Sequence, residues 1–278
     1  MQDVTFFSAA LQRNMPYRVV LPANYDADGK KLPVVYLLHG GGETFRNWTN
    51  DSDVAQYAAH GLILVMPQGD SSYYVNSARN PQGRYEDYVV KDLITDVEQR
   101  FPAARDRRHR AIMGVSMGGF GAVVLTLKHP ELFGFAAGIS PALDVPSRPF
   151  SVRRIPQWRH HRSIFGDWDG QHQRDNDPYV LARSADPAKT PYLWLSCGDH
   201  EGLLPANLRF ARILKERGFR FQFTREHGGH NWSQWNPLLP ILFSALNAET
   251  QMTPGSNPPS ILPLHESRSR YTLSHIGF

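Results

Sequence analysis

Cysteine is nearly absent from this sequence of 278 residues, because Cys197 is the only one. A single cysteine excludes an intramolecular disulfide and favours a reducing compartment. No stretch approaches about 18 uninterrupted apolar residues, and the first ten residues lack the charged and apolar regions of a standard signal peptide. We therefore expect a cytoplasmic protein with no membrane partner.

A large excess of one charge is also missing. Thirty Lys and Arg residues against 26 Asp and Glu residues leave a formal net charge of +4. This charge is too small to indicate a nucleic-acid partner without a clustered patch, so we expect none. Hydrophobic residues make up 41% of the chain, which is enough to bury a sizeable core. A homo-oligomer is compatible with this composition, which does not fix the oligomeric state.

Short apolar runs alternate with segments of helical periodicity along most of the chain. Seven runs are strand candidates: 17–21, 34–38, 62–66, 110–114, 135–139, 192–196 and 220–226. Near-continuous apolar runs suit parallel strands that are buried on both faces. The intervening segments carry a period of about 3.6 residues, as at Val89, Leu93 and Val97. We expect an α/β fold with a mostly parallel central sheet flanked by helices.

Two stretches interrupt this alternation. Residues 141–190 are rich in Pro, Arg, Trp, His and Asp and are too long for an ordinary connection, so we interpret them as a cap-like insertion over a site. Residues 251–278 are rich in Pro and Ser and predict a C-terminal tail. The domain prediction is therefore a single domain over residues 1–250 that contains the insertion, followed by the tail.

A serine lies between a strand candidate and a helical segment. Gly114-Val115-Ser116-Met117-Gly118 follows an apolar run and opens the helical pattern of residues 118–129. In a G-x-S-x-G turn, small flanking residues let a strained backbone lift the serine hydroxyl above the sheet edge. The sequence therefore predicts Ser116 as a nucleophile.

Glycines follow another strand candidate, in His39-Gly40-Gly41-Gly42. Glycines at the end of a strand let backbone N–H groups point at a developing oxyanion without interference from a Cβ atom. We predict that the N–H groups of Gly41 and Met117 form an oxyanion hole.

Serine needs a base, and in α/β-hydrolases the chain order is serine, acid, histidine. His230 lies between the last strand candidate and the last helix, after a flexible glycine pair, and is the predicted base; His227 is its main rival. His227 and His230 could also ligate a metal, but no cysteine or clustered carboxylate completes a shell, so we predict no metal and no cofactor.

Two carboxylates after one strand, Asp199 and Glu201, are both candidates for the acid.

With these residues identified, the chain resembles the putative esterase family of α/β-hydrolases, which includes esterase D (S-formylglutathione hydrolase), feruloyl and acetyl esterases and mycolyltransferases. The resemblance covers roughly residues 5 to 248. It depends on five motifs: Tyr17-Arg18-Val19-Val20-Leu21-Pro22, Leu38-His39-Gly40-Gly41, Ser116-Met117-Gly118-Gly119-Phe120-Gly121-Ala122, His129-Pro130-Glu131-Leu132-Phe133 and Gly229-His230-Asn231-Trp232. The family's acid usually lies three residues after a glycine, as an aspartate. The resemblance therefore implies Glu201 as the acid here, with a change of residue type.

The resemblance implies a serine carboxylesterase that hydrolyses short-chain or aryl esters of a small-molecule substrate through an acyl-enzyme. A thioesterase or acyltransferase with the same triad is the alternative within enzymes. A catalytically inactive binding module is the alternative from another class. The insertion and the loop from Gly69 to Arg84, which contains Tyr73, are expected to line the substrate pockets.

Overall fold

The computed structural model describes residues 1–23, 25, 29–148, 152 and 155–252. Within this part of the chain, eight strands form one sheet in the order β1-β2-β4-β3-β5-β6-β7-β8. The strands are β1 Gln2–Ser8, β2 Arg13–Val20, β3 Val34–Leu38, β4 Ile63–Pro67, β5 Arg110–Val115, β6 Phe135–Ile139, β7 Tyr192–Gly198 and β8 Phe221–Glu226.

The sheet is antiparallel at one edge and parallel elsewhere. β2 pairs antiparallel with both β1 and β4, whereas the pairs from β4 through β3, β5, β6 and β7 to β8 are all parallel. Every residue of β3, β4, β5 and β6 is buried, as the apolar runs predicted. The predicted mostly parallel α/β sheet is confirmed, and β1 is an additional strand.

Helices cover both faces of the sheet. They are α1 Asn47–Asn50, α2 Tyr85–Asp87, α3 Ile94–Arg100, α4 Met117–Lys128, α5 Ile155–Phe165, α6 Gln171–Arg174, α7 Pro178–Ser184, α8 Leu204–Arg217, α9 Trp232–Trp235 and α10 Leu239–Thr250. Tyr36 of β3 packs in a cluster with residues of α3, α4, α7 and α8. Its neighbour Val35 packs on the opposite face, with residues of α10. This alternation follows from strand geometry, which points successive side chains to opposite faces.

Two helical segments are interrupted by turns of another type. A π-helical turn over Tyr88–Leu93 separates α2 from α3, and a 3-10 turn over Asn236–Leu238 separates α9 from α10. Pro237 in the second turn lacks an amide hydrogen, which explains why a regular helix does not continue there.

The insertion has structure of its own. It contains α5, α6 and α7, and α7 packs its Tyr179 and Ala182 into the main core. At the other end, Met252 is buried against the cluster that contains α10. Met252 therefore belongs to the folded domain, and the rest of the predicted tail, residues 253–278, lies outside the described residues. None of the helices in the described part of the chain has the length and apolar character needed to cross a membrane.

Candidate active site

Ser116 occupies a strained turn between β5 and α4. Its backbone has φ of 54°, in the left-handed region that non-glycine residues rarely adopt. A Cβ atom on Gly114 would lie 2.2 Å from the carbonyl of Gly118, and one on Gly118 would lie 2.1 Å from the carbonyl oxygen of Leu38. Both glycines of the motif are therefore required by close packing of the backbone.

The glycine loop after β3 lies beside this turn. Leu38 pairs with Gly114 in the sheet, which brings the carboxyl ends of β3 and β5 together. A Cβ atom on Gly41 would lie 4.0 Å from Cβ of Met117. Among the described residues, neither the Gly41 nor the Met117 amide is hydrogen-bonded to a protein acceptor. Two neighbouring N–H groups are thus available next to Ser116.

His39, which directly precedes the glycines of this loop, has a structural role. It is fully buried, and its Nε2 accepts a hydrogen bond from the Gly69 amide at 2.9 Å. Its Nδ1 therefore carries the proton and donates to the Gly40 carbonyl at 2.8 Å. Burial lowers the pKa of His39, and both of its ring nitrogens are already hydrogen-bonded to the backbone, so neither nitrogen is free to take a proton from Ser116.

His230 links Ser116 to a carboxylate. Its Nε2 lies 2.8 Å from Oγ of Ser116, and its Nδ1 lies 2.6 Å from Oε2 of Glu201. A carboxylate can only accept here, so Nδ1 donates to Glu201 and Nε2 is left to accept the serine proton. Trp235 packs edge-on against the imidazole, with ring centroids 4.8 Å apart.

Glu201 is almost inaccessible, with 1% of its side chain exposed. Its second oxygen accepts hydrogen bonds from the Gly198 amide at 2.9 Å and from the Ser140 hydroxyl at 2.5 Å. Burial acts to raise the pKa of this carboxyl, but the hydrogen bonds from His230, Ser140 and Gly198 outweigh it, so the pKa is lowered. Glu201 is therefore ionised at neutral pH beside His230.

The rival candidates, Asp199 and His227, lie together away from Ser116. Asp199 accepts the Gly228 amide at 3.0 Å and faces Nδ1 of His227 at 3.2 Å. His227 is largely exposed, with 79% of its side chain accessible. Of the two carboxylates on this turn, only Glu201 is hydrogen-bonded to His230.

Two supporting residues, Ser140 and Glu43, were not predicted from the sequence. Ser140, which holds Glu201, also has positive φ and receives a hydrogen bond from Trp235. Glu43 accepts the Gly40 amide at 2.7 Å and the Trp232 indole N–H at 2.6 Å, so it connects the glycine loop to the histidine loop. Ser140 directly follows β6, and Glu43 directly follows the three glycines. These positions could have indicated both residues, because side chains that follow parallel strands gather at one edge of the sheet.

Two further side chains near the site, Asp92 and Trp48, stabilise the fold. Asp92 accepts hydrogen bonds from the Ser8 hydroxyl and the Ala10 amide, which attach β1 to the π-helical turn. Trp48 is buried and donates to the Leu38 carbonyl at 3.1 Å, next to the glycine loop.

The loop before α2 contacts the insertion near Phe120, which lies one helical turn after Ser116 in α4. Tyr73 packs edge-on against Phe120 of α4 and against His161 of α5, with ring centroids 5.5 Å apart in both pairs. Its hydroxyl lies 3.2 Å from Nε2 of His161. Burial, together with the nearby Arg148, lowers the pKa of His161 to about 4. The imidazole of His161 beside Tyr73 is therefore uncharged at neutral pH.

Comparison with known proteins places the chain in a family. Residues 8–244 match the family described as putative esterase. An acetyl esterase of Caldicellulosiruptor saccharolyticus is 25% identical over 255 residues, which cover 87% of this chain and 96% of that protein. The substrate-bound fluorophosphonate-binding serine hydrolase F of Staphylococcus aureus has a TM-score of 0.74 and 25% identity, over 91% of this chain and 98% of the other. The structure of a ferulic acid esterase has a TM-score of 0.74 and 26% identity, over 91% and 97% of the two chains.

The fold and these likenesses define an α/β hydrolase of the serine hydrolase class. The chain belongs to the putative esterase family and is a carboxylic ester hydrolase, as its motifs predicted.

Proposed function

We propose that Ser116, His230 and Glu201 act as a catalytic triad that hydrolyses carboxylic esters through an acyl-enzyme. The observation that carries this proposal is the pair of consecutive hydrogen bonds from Ser116 to His230 at 2.8 Å and from His230 to Glu201 at 2.6 Å. Hydrogen-bond contact between nucleophile and base, with the base oriented by a third group, is the arrangement that activates a serine.

In the first half of the reaction, Oγ of Ser116 attacks the ester carbonyl carbon while Nε2 of His230 takes the hydroxyl proton. The tetrahedral intermediate then collapses, and His230 returns this proton to the departing alkoxide, which leaves as the alcohol. In the second half, His230 takes a proton from water, the hydroxide attacks the acyl-enzyme, and the proton returns to Ser116 as the acid leaves. Glu201 stabilises the imidazolium in both halves.

The N–H groups of Gly41 and Met117 would stabilise the negative oxygen of both tetrahedral intermediates. Their proximity and their lack of protein acceptors within the described residues support this role. Loss of one such donor typically costs about 3 to 4 kcal/mol of transition-state stabilisation. Both donors belong to the backbone, so substitutions of side chains will underestimate their contribution.

We propose small acyl and aryl carboxylic esters as substrates. The names of the similar proteins, acetyl esterase and ferulic acid esterase, support these two classes. Tyr73, which is partly exposed and packs against Phe120 of α4, suits an apolar or aromatic acyl group. The single buried cysteine, Cys197, fits the cytoplasmic location that we propose for the enzyme, which cell fractionation would test.

The test is hydrolysis of p-nitrophenyl acetate, p-nitrophenyl butyrate and methyl ferulate by the wild type and by the Ser116→Ala variant. We expect kcat to fall by about 10⁵-fold or more in the variant, while circular dichroism and melting temperature stay close to the wild type. A folded variant that retains wild-type turnover would disprove the role of Ser116. Turnover of a matched thioester well above that of the oxygen ester would instead favour the thioesterase alternative.

A further inference from the structure

A second group of polar side chains lies on the outer side of the loops that carry Glu201 and His230. It consists of Asp199, His200 and His227, whose potential ligand atoms all lie within 4.8 Å of one another. The two imidazole rings meet edge to face, with centroids 4.7 Å apart. None of these three side chains contacts Ser116, and the proposed ester hydrolysis does not use them.

The distances within this cluster fit a small tetrahedral metal ion. Nε2 of His200 lies 3.7 Å from one oxygen of Asp199, and Nδ1 of His227 lies 3.2 Å from the other. Neighbouring ligands of tetrahedral zinc, with bonds of about 2.0 to 2.2 Å, are separated by about 3.4 Å. All three ligand atoms lie within 4.8 Å of one another, so the exposed histidine side chains must approach each other to reach that spacing.

The backbone under the cluster is already fixed. The parallel pairing of β7 and β8 sets Gly198 opposite Glu226, so the two loops start side by side. The Gly228 amide donates to Asp199 at 3.0 Å, and the His200 amide donates to the Gly228 carbonyl at 3.0 Å. A carboxylate ligand held by an outer hydrogen bond is the arrangement found around protein metal ions.

Accessibility and ligand chemistry select the type of ion. The side chains of His200 and His227 are 64% and 79% exposed, so an ion can enter from solvent. Two imidazoles with one carboxylate favour Zn²⁺ and similar transition metals over Mg²⁺, which prefers oxygen ligands. Elsewhere in the described residues, His109 and Asp106 pair at 2.7 Å but lack a third ligand.

The sequence predicted no metal because it showed no carboxylate clustered with the histidines, whereas the structure brings Asp199 to His200 and His227. We propose that Asp199, His200 and His227 bind one Zn²⁺ ion, with water in the fourth position. The ion would join the loop of Glu201 to the loop of His230 from outside the triad. It would stabilise both loops and take no part in the reaction. This site goes beyond the proposed ester hydrolysis, and its binding can be measured without any substrate.

The test is isothermal titration of chelator-treated full-length protein with Zn²⁺. We expect one site per chain, and affinity reduced by about tenfold or more in each of the variants His200→Ala, His227→Ala and Asp199→Asn, since even outer-shell changes cost that much. The matched control His109→Ala, which removes a histidine paired with only one carboxylate, should bind Zn²⁺ like the wild type. Mg²⁺ should produce no binding heat at the same concentrations. Unchanged Zn²⁺ affinity in all three cluster variants would refute the site.

A second measurement separates this site from the triad and from loss of folding. At about 100 times the dissociation constant, Zn²⁺ should raise the melting temperature of the wild type by about 5 °C or more, with no increase in a His200→Gln/His227→Gln variant. In the presence of chelator, this double variant should have the same melting temperature as the wild type. His230→Ala should retain the Zn²⁺ site. If His230→Ala abolishes binding and the cluster variants do not, the ion lies in the triad and the proposal is wrong.

Discussion

Two turns of this enzyme carry the proposed catalytic groups at the same edge of the sheet, but they are built differently. The nucleophile turn, residues 114–119, is determined by its own glycines and their contacts with neighbouring backbone. The acid turn, residues 198–204, depends on distant partners, because the hydroxyl that holds Glu201 belongs to Ser140, 61 residues away. A turn shaped by its own residues can be recognised in a sequence, whereas a turn held by remote partners leaves its functional residue ambiguous.

The acid turn shows this ambiguity in Asp199 and Glu201. Both are carboxylates after β7, yet Glu201 is 1% exposed and contacts His230, while Asp199 is 21% exposed and contacts His227. The residues alone leave both carboxylates as candidates, and only the position that the family resemblance implies favours Glu201. In the structure, the Gly198 amide and the hydroxyl of Ser140, which follows β6, hold Glu201 against His230.

Within the acid turn, the largest expected effect comes from replacing one of these two carboxylates. In Glu201→Gln, the Gly198 amide and Ser140 would hold the amide oxygen, so the NH₂ group would face Nδ1 of His230 and force the proton onto Nε2. This wrong tautomer cannot accept the serine proton, and kcat should fall by about 10⁴-fold. Asp199→Asn should cost less than about tenfold, since Asp199 reaches the histidine loop only through the Gly228 amide. Steady-state kinetics on p-nitrophenyl acetate would measure both, and equal losses would contradict the assignment of Glu201.

Glycine substitutions compare the two turns directly. In Gly118→Ala, the new Cβ would lie 2.1 Å from the Leu38 carbonyl oxygen, so the nucleophile turn cannot keep its structure. We expect a loss of about 4 kcal/mol or more in the free energy of unfolding, or no folded protein. In Gly202→Ala, on the acid turn, no atom lies within 4 Å of the new Cβ, and the change should stay within about 1 kcal/mol. Urea unfolding gives both values; a mild Gly118→Ala variant would show that the turn is less constrained than its packing indicates.

A smaller effect is expected at the remote support of the acid turn. Ser140→Ala removes the hydroxyl that donates to Glu201 and accepts from Trp235. A hydrogen bond to a charged group contributes about 1.5 to 3 kcal/mol, so kcat should fall by roughly ten- to hundredfold with little change in KM. The matched control is Ser196→Ala, because the Ser196 hydroxyl is equally buried and has no hydrogen-bond partner in the described chain. If the two variants lose the same activity, Ser140 does not position Glu201.

Much of this organisation could be predicted from the sequence. Apolar runs located β2 to β8, and since parallel strands share a carboxyl edge, they also predicted where the glycine loop, Ser116 and His230 would gather. β1 was missed because its alternating exposed and buried residues do not form an apolar run. Ser140 was missed because its role depends on the pairing of Ile139 with Ser196, which no local pattern encodes.

The smallest effect we predict is the dependence of stability on pH. Because hydrogen bonds lower the pKa of Glu201 in the folded protein below its ordinary value of 4.5, its ionised form adds stability at pH values above 4.5. That contribution disappears as the pH falls through the lowered pKa. The melting temperature of Glu201→Gln should therefore lie below that of the wild type at neutral pH, and the difference should narrow below about pH 4.5. The control is Glu216→Gln, on the exposed side of α8, for which the difference should be small at every pH. A gap for Glu201→Gln that stays constant into acid would show that packing, and not the charge of the carboxylate, stabilises the acid turn.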